Sequence, residues 1–136
     1  MADLDAVTDY VKKLPAASGK VAVGGFCWGG ARTFSFATQR PDLSAAFVFY
    51  GTGPQEVSGI RAPVYGFYGE NDARVNATIP ASEEAMKAAG KKYEPVIYAG
   101  AGHGFMRSGE APDANDANKK AREDAWKRWL AVLKAM

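Results

Sequence analysis

Four short apolar runs, at residues 21–26, 45–50, 64–68 and 93–99, leave few folds open to this chain. Each is too short for a stable helix, and the first three are apolar at odd and even positions alike. A strand of that kind must be covered on both faces. Helix-patterned stretches precede, separate and follow the runs. This alternation predicts an α/β fold: a three-layer sandwich around a mostly parallel sheet of about four strands.

The helices are marked by period and by their stops. Leu4, Val7, Val11 and Leu14 predict a helix over 3–14, ended by Pro15 and Gly19. A second runs from Gly29 to about Gln39, before Pro41, and a third covers 80–89, with Gly90 as its stop. Trp126, Trp129, Leu130 and Leu133 repeat at i, i+3, i+4 and i+7 and define the last helix. Pro95 suits an edge strand, because it cannot donate to a ladder. The polar stretch 108–118 reads as a surface loop. No repeat or linker divides the chain, so residues 1–136 form one domain.

Charge excludes some partners. Seventeen basic residues against 15 acidic ones give a formal net charge of +2, too little to suggest nucleic acid or an anionic membrane. No apolar run approaches membrane-spanning length, and no signal peptide is visible. The single cysteine cannot form an internal disulfide, so a reducing cytoplasm is the expected compartment.

The chemistry gathers around that cysteine. Gly25-Phe26-Cys27-Trp28-Gly29-Gly30 lies between a predicted strand and a predicted helix, with small residues two before and two after the thiol. This is the nucleophile-elbow pattern, in which a sharp turn lifts the reactive atom above the sheet. Side chains at the flanking glycines would collide with strand and helix. The turn also puts the sulfur at a helix N-terminus, where the dipole favours negative charge. A lone cysteine is ordinarily structural, but its setting here favours a nucleophile. No frame gives Gly-x-Gly-x-x-Gly, and no Gly-Lys-Ser/Thr occurs, so the dinucleotide and P-loop readings fail.

Two further residues fall on the same rim. Asp72 follows the third strand in Tyr68-Gly69-Glu70-Asn71-Asp72, with Glu70 as the competing carboxylate. His103, the only histidine, follows the fourth strand in Gly100-Ala101-Gly102-His103-Gly104-Phe105. Nucleophile, acid and base thus come in the α/β-hydrolase order. His103 would take the Cys27 proton, Asp72 would fix the imidazole, and the Trp28 N–H would donate to an oxyanion. One histidine and one cysteine cannot build a closed zinc site without several carboxylates, and no organic cofactor is implied. Phe26, Trp28, Tyr50, Tyr68 and Phe105 are candidates for a small apolar pocket; Phe26 and Tyr50 suit the core at least as well.

On these motifs, together with Met106-Arg107 after the histidine loop, the chain resembles the dienelactone hydrolase family from about residue 5 to its end. The resemblance implies a truncated α/β-hydrolase fold and a cysteine that attacks a lactone or small ester through an acyl-thioester. It also implies a substrate carboxylate held by Arg107, which points to an anionic substrate. In that family an N-terminal half supplies further strands, a second oxyanion donor, another arginine and a glutamate near the thiol. Those parts have no counterpart here, so weak esterase activity is expected, and residues 21–25 should form an exposed sheet edge. Such an edge invites pairing, most simply in a homodimer. A split enzyme, an inactive interaction module and a redox-responsive thiol protein are the competing readings.

Overall fold

The computed structural model covers residues 1–136. Its elements are α1 (Ala2–Lys12), β1 (Ala22–Phe26), α2 (Trp28–Ala37), β2 (Ala45–Phe49), β3 (Val64–Asn71), α3 (Ala73–Asn76), α4 (Ile79–Ala88), β4 (Tyr93–Gly102), α5 (Phe105–Ser108) and α6 (Asp116–Ala135). The four strands are all parallel, in the order β1-β2-β3-β4. No helix is long and apolar enough to cross a membrane.

Two cores sandwich the sheet, as the doubly apolar strands require. Phe47 and Phe49 of β2 and Tyr65 and Phe67 of β3 face α6 through Ala121 and Ala125. The alternate residues Ala46, Val48, Val64 and Tyr68 face α2 and α4 through Phe34, Ala37, Ile79 and Met86. The α6 face carries an aromatic ladder. Phe26 pairs in register with Phe49, and Phe49 with Phe67. Their rings stack at 4.6 and 4.3 Å. Trp129 of α6 meets Phe49 edge-on at 4.9 Å. The Arg128 guanidinium caps Phe67 at 4.5 Å and donates to the carbonyls of Gly66 and Glu94, at 2.7 Å each.

Several elements differ from expectation. β3 runs on to Asn71 and β4 to Gly102, beyond the apolar runs that announce them. The added residues pair across a bulge between Gly69 and Asn71, with Asn71 opposite Gly102. The expected loop at 108–118 is framed by helices: α5 ends at Ser108, and α6 begins at Asp116 under an Asn115 side-chain cap. Pro95 does lie on an edge strand.

Helix α1 is held mainly by charge. Arg40 bonds Asp5, Asp9 and Asp42, and Lys12 pairs with Asp42. These contacts raise the affinity of Arg40 for its proton and depress that of Asp42. The apolar stripe of α1 stays largely open, with Val7 57% exposed.

The glycines of the elbow have unequal work. A Cβ at Gly25 would fall 2.2 Å from the Gly29 carbonyl oxygen, and one at Gly30 would fall 2.5 Å from that of Phe49. A Cβ at Gly29 would meet open space, so the expected collision two residues after the cysteine does not occur there. Gly25→Ala should therefore lower stability by about 1–3 kcal/mol or more. Gly29→Ala should leave stability unchanged or raise it by up to about 1 kcal/mol. Urea denaturation of the two variants measures both.

Candidate active site

Cys27 stands between β1 and α2 as the residue before the helix, with φ 55° and ψ −119°. Only one other non-glycine residue, Tyr50, has a positive φ. The elbow is held by Cys27 N–H donating to the Phe49 carbonyl at 3.1 Å and by Ala31 N–H returning to the Cys27 carbonyl at 3.2 Å. The thiol is exposed at the C-terminal end of the sheet. Trp28 opens α2, so its N–H has no acceptor one turn back.

Asp72 closes the extension of β3 and precedes α3. Its neighbours pin that extension to β4. Glu70 accepts from the Gly100 N–H at 2.7 Å, and Asn71 donates to the Gly100 carbonyl at 3.2 Å. Asn76 reaches back to the Gly69 carbonyl at 2.8 Å. The Asp72 side chain is 7% exposed and lies 2.5 Å from His103 Nδ1. An ionised carboxylate can only accept, so this contact calls for a proton on Nδ1, and in the neutral ring the lone pair is then on Nε2. Glu70, the competing acid, is committed to Gly100.

His103 sits between Gly100 and Gly104, both at positive φ (69° and 77°). Helix α6 holds this loop. Asn118 accepts from the Gly102 N–H at 3.0 Å, and Arg122 donates to the Met106 carbonyl at 3.0 Å. Local sequence gave no signal for Asn118 or Arg122, because both act across 16 residues. Asn118 also lies in the first turn of α6, at the end of the polar stretch that predicts a loop.

Cys27 and His103 share one cleft of about 760 Å³, with Phe26, Tyr50, Met106, Arg107 and Trp126 among its walls. Arg122 also borders it but is engaged by Glu110, whereas Arg107 forms no ion pair. Of the five aromatic residues proposed for a pocket, Phe26 and Tyr50 line the cleft. Tyr68 and Phe105 are buried in the cores, at 1% and 0% exposure. The Trp28 indole lies in a second cleft beside Leu4 and beneath the Arg32 guanidinium. That displacement follows from helix geometry: the backbone of a first-turn residue can face a site while its side chain points elsewhere.

The model of the dienelactone hydrolase family matches residues 1–136. The chain belongs to the dienelactone hydrolase family. It is 32% identical over 143 residues to "Putative carboxymethylenebutenolidase" of Salmonella typhimurium, covering 96% of this chain and 52% of that protein. The protein of the same description from Saccharolobus solfataricus is 34% identical, with 96% and 50% covered. Among solved structures, "Putative Dienelactone Hydrolase" from Klebsiella pneumoniae superposes with a TM-score of 0.80 at 29% identity, covering 96% of this chain and 58% of that one. The chain therefore spans about half the length of the curated relatives it matches.

Proposed function

We propose that this chain hydrolyses small carboxylic esters or lactones through Cys27, His103 and Asp72. The observation that carries the reading is the 2.5 Å bond between His103 and Asp72 on the rim where Cys27 holds its strained turn. His103 Nε2 takes the Cys27 proton, and the sulfur attacks the carbonyl carbon. The carbonyl electrons move onto oxygen, where the Trp28 N–H donates to them. When the tetrahedral intermediate collapses, the C–O bond breaks and the alkoxide leaves with the proton from His103. An acyl-thioester remains on Cys27. Water, deprotonated by His103, attacks it, and the thiolate departs and recovers its proton. Asp72 keeps the imidazole in one tautomer and stabilises its charged form in both halves. A reducing compartment such as the cytoplasm suits a free, exposed thiol in this role.

Hydrolysis of p-nitrophenyl acetate tests the scheme. Turnover should vanish in Cys27→Ala and fall about 10⁴-fold in Asp72→Asn, which removes the acceptor that fixes the tautomer. Unchanged turnover in Cys27→Ala would remove the thiol from the mechanism.

The unpaired guanidinium of Arg107 supports a substrate that carries a carboxylate near its ester. Arg107→Ala should raise KM about 10–100-fold for such an ester and leave a neutral ester of the same size unaffected. Equal effects on both would refute the assignment.

We further propose that the open side of β1 pairs with the β1 of a second copy. Val21 and Cys27 bond toward β2, so by alternation Ala22, Gly24 and Phe26 turn their N–H and C=O groups to the open edge. Exposed Leu4 and Trp28 flank this edge on one side, and Phe26, Trp126 and Leu130 on the other. An antiparallel two-fold at Gly24 would bring the two edges together without a side chain at the crossing. Light scattering at micromolar concentration should give twice the 14.5 kDa chain mass. A monomer would overturn the pairing.

A further inference from the structure

The hydrolytic scheme leaves Tyr50 without a task, although it is one of the most constrained residues in the cleft. Its φ is 40°, in a region that costs a bulky side chain about 1–3 kcal/mol and persists only where the surroundings enforce it. Three things enforce it here. Its N–H donates to the Phe67 carbonyl at 2.8 Å, which keeps the strand ladder running through the turn. Gly51, next along, packs so closely on α2 that a Cβ there would lie 2.3 Å from the Ala31 nitrogen. Its ring, 2% exposed, is wedged against Phe26 at 6.2 Å, Phe49 at 6.3 Å and Phe105 at 5.3 Å.

The ring also meets His103, at 5.1 Å between centroids and tilted by 59°. The histidine side chain is 38% exposed, so part of it faces solvent and part faces Tyr50. A single hydrogen bond from Nδ1 to Asp72 leaves the imidazole free to swing about that bond. A fixed ring beside it removes this freedom. Burial first, and then the neighbouring Cys27, push the phenol well above its ordinary value. Tyr50 is thus an uncharged wall within electrostatic reach of the sulfur.

We infer that Tyr50 is a positioning residue: its strained turn sets the ring against His103 and keeps the imidazole directed between Asp72 and Cys27. The inference rests on the hydrolytic reading of the same cleft and adds to it a residue that touches no substrate bond. The role assigned to Tyr50 is that of its ring; its hydroxyl meets the Met106 backbone.

His103 is the only histidine in the chain, so its Nδ1 proton, bonded to Asp72, gives a far-downfield proton NMR signal without ambiguity. The signal needs no turnover, which separates this test from that of the hydrolase activity. Wild type and Tyr50→Phe should both show it, with kcat within about twofold of each other. Tyr50→Leu should lose it and drop kcat about 10–100-fold with KM within about twofold, the scale expected for a misplaced catalytic group. If Tyr50→Leu does not fold, Tyr50→Asn replaces it, because asparagine tolerates the left-handed backbone. Phe34→Leu, buried on the opposite face of the sheet, controls for lost stability and should keep the signal. A Tyr50→Leu or Tyr50→Asn protein that keeps both signal and kcat would reduce Tyr50 to core packing. A wild-type protein without the signal would equally overturn the inference.

Discussion

The site depends on the stack of Phe26, Phe49 and Phe67 across three parallel strands. Parallel strands that are apolar on both faces have little to choose between neighbouring registers. Large rings that stack in only one register remove that ambiguity, and each aromatic contact contributes about 0.5–1.5 kcal/mol beyond its buried area. The consequence appears one residue further on. With Phe26 opposite Phe49, Cys27 is delivered beside Tyr50, and the Cys27 N–H finds the Phe49 carbonyl. The two residues at positive φ therefore leave the sheet side by side.

Topology explains why the rest of the site arrives at the same rim. Each connection steps the chain one strand further in the same direction. Right-handed crossovers of that kind place their helices on one face, and α2 and α4 share the core there. The opposite face falls to α6, whose 20 residues span it. That helix does two jobs with separate parts. Its first turns hold the histidine loop through Asn118 and Arg122, and its later turns meet the aromatic ladder through Arg128 and Trp129. A disturbance of the core beneath Trp129 would thus reach His103 through one rigid element.

Much of this was legible in the sequence, and the boundary is physical. Cys27, Asp72 and His103 stand out because each is a local event: a reactive side chain just beyond an apolar run, with glycine close by. The four strands and the main helices follow from period and stop residues. The extensions of β3 and β4 do not, because Glu70, Asn71 and Gly102 are polar or small and pair for reasons set 29–31 residues away. Asn118 is silent for the same reason, and so is the strain at Tyr50, which depends on ring neighbours from β1 and from the histidine loop. The apolar stripe of α1 did predict the helix. Its exposure departs from the usual rule that such a stripe is buried, since Arg40 ties α1 down with charge while Leu4, Val7 and Leu14 remain open.

These exposures bear on the cleft itself. Its wall on the β1 side is made by Phe26 and Trp126, two aromatic residues that are 43% and 37% exposed. The wall on the β4 side, by contrast, is fixed by the Asp72–His103 bond, by Gly100 and by the α6 contacts. Asp72 and His103 are therefore rigidly set from one side. Cys27 is set by the elbow and the ladder, next to surface that is still partly open. On the proposed mechanism, a second copy covering β1 would act on the shape and dryness of the Cys27 side of the cleft, and hence on how strongly the Trp28 amide would polarise a bound carbonyl. An interface at this edge would thus tune binding and oxyanion stabilisation and would leave the Asp72–His103 bond untouched.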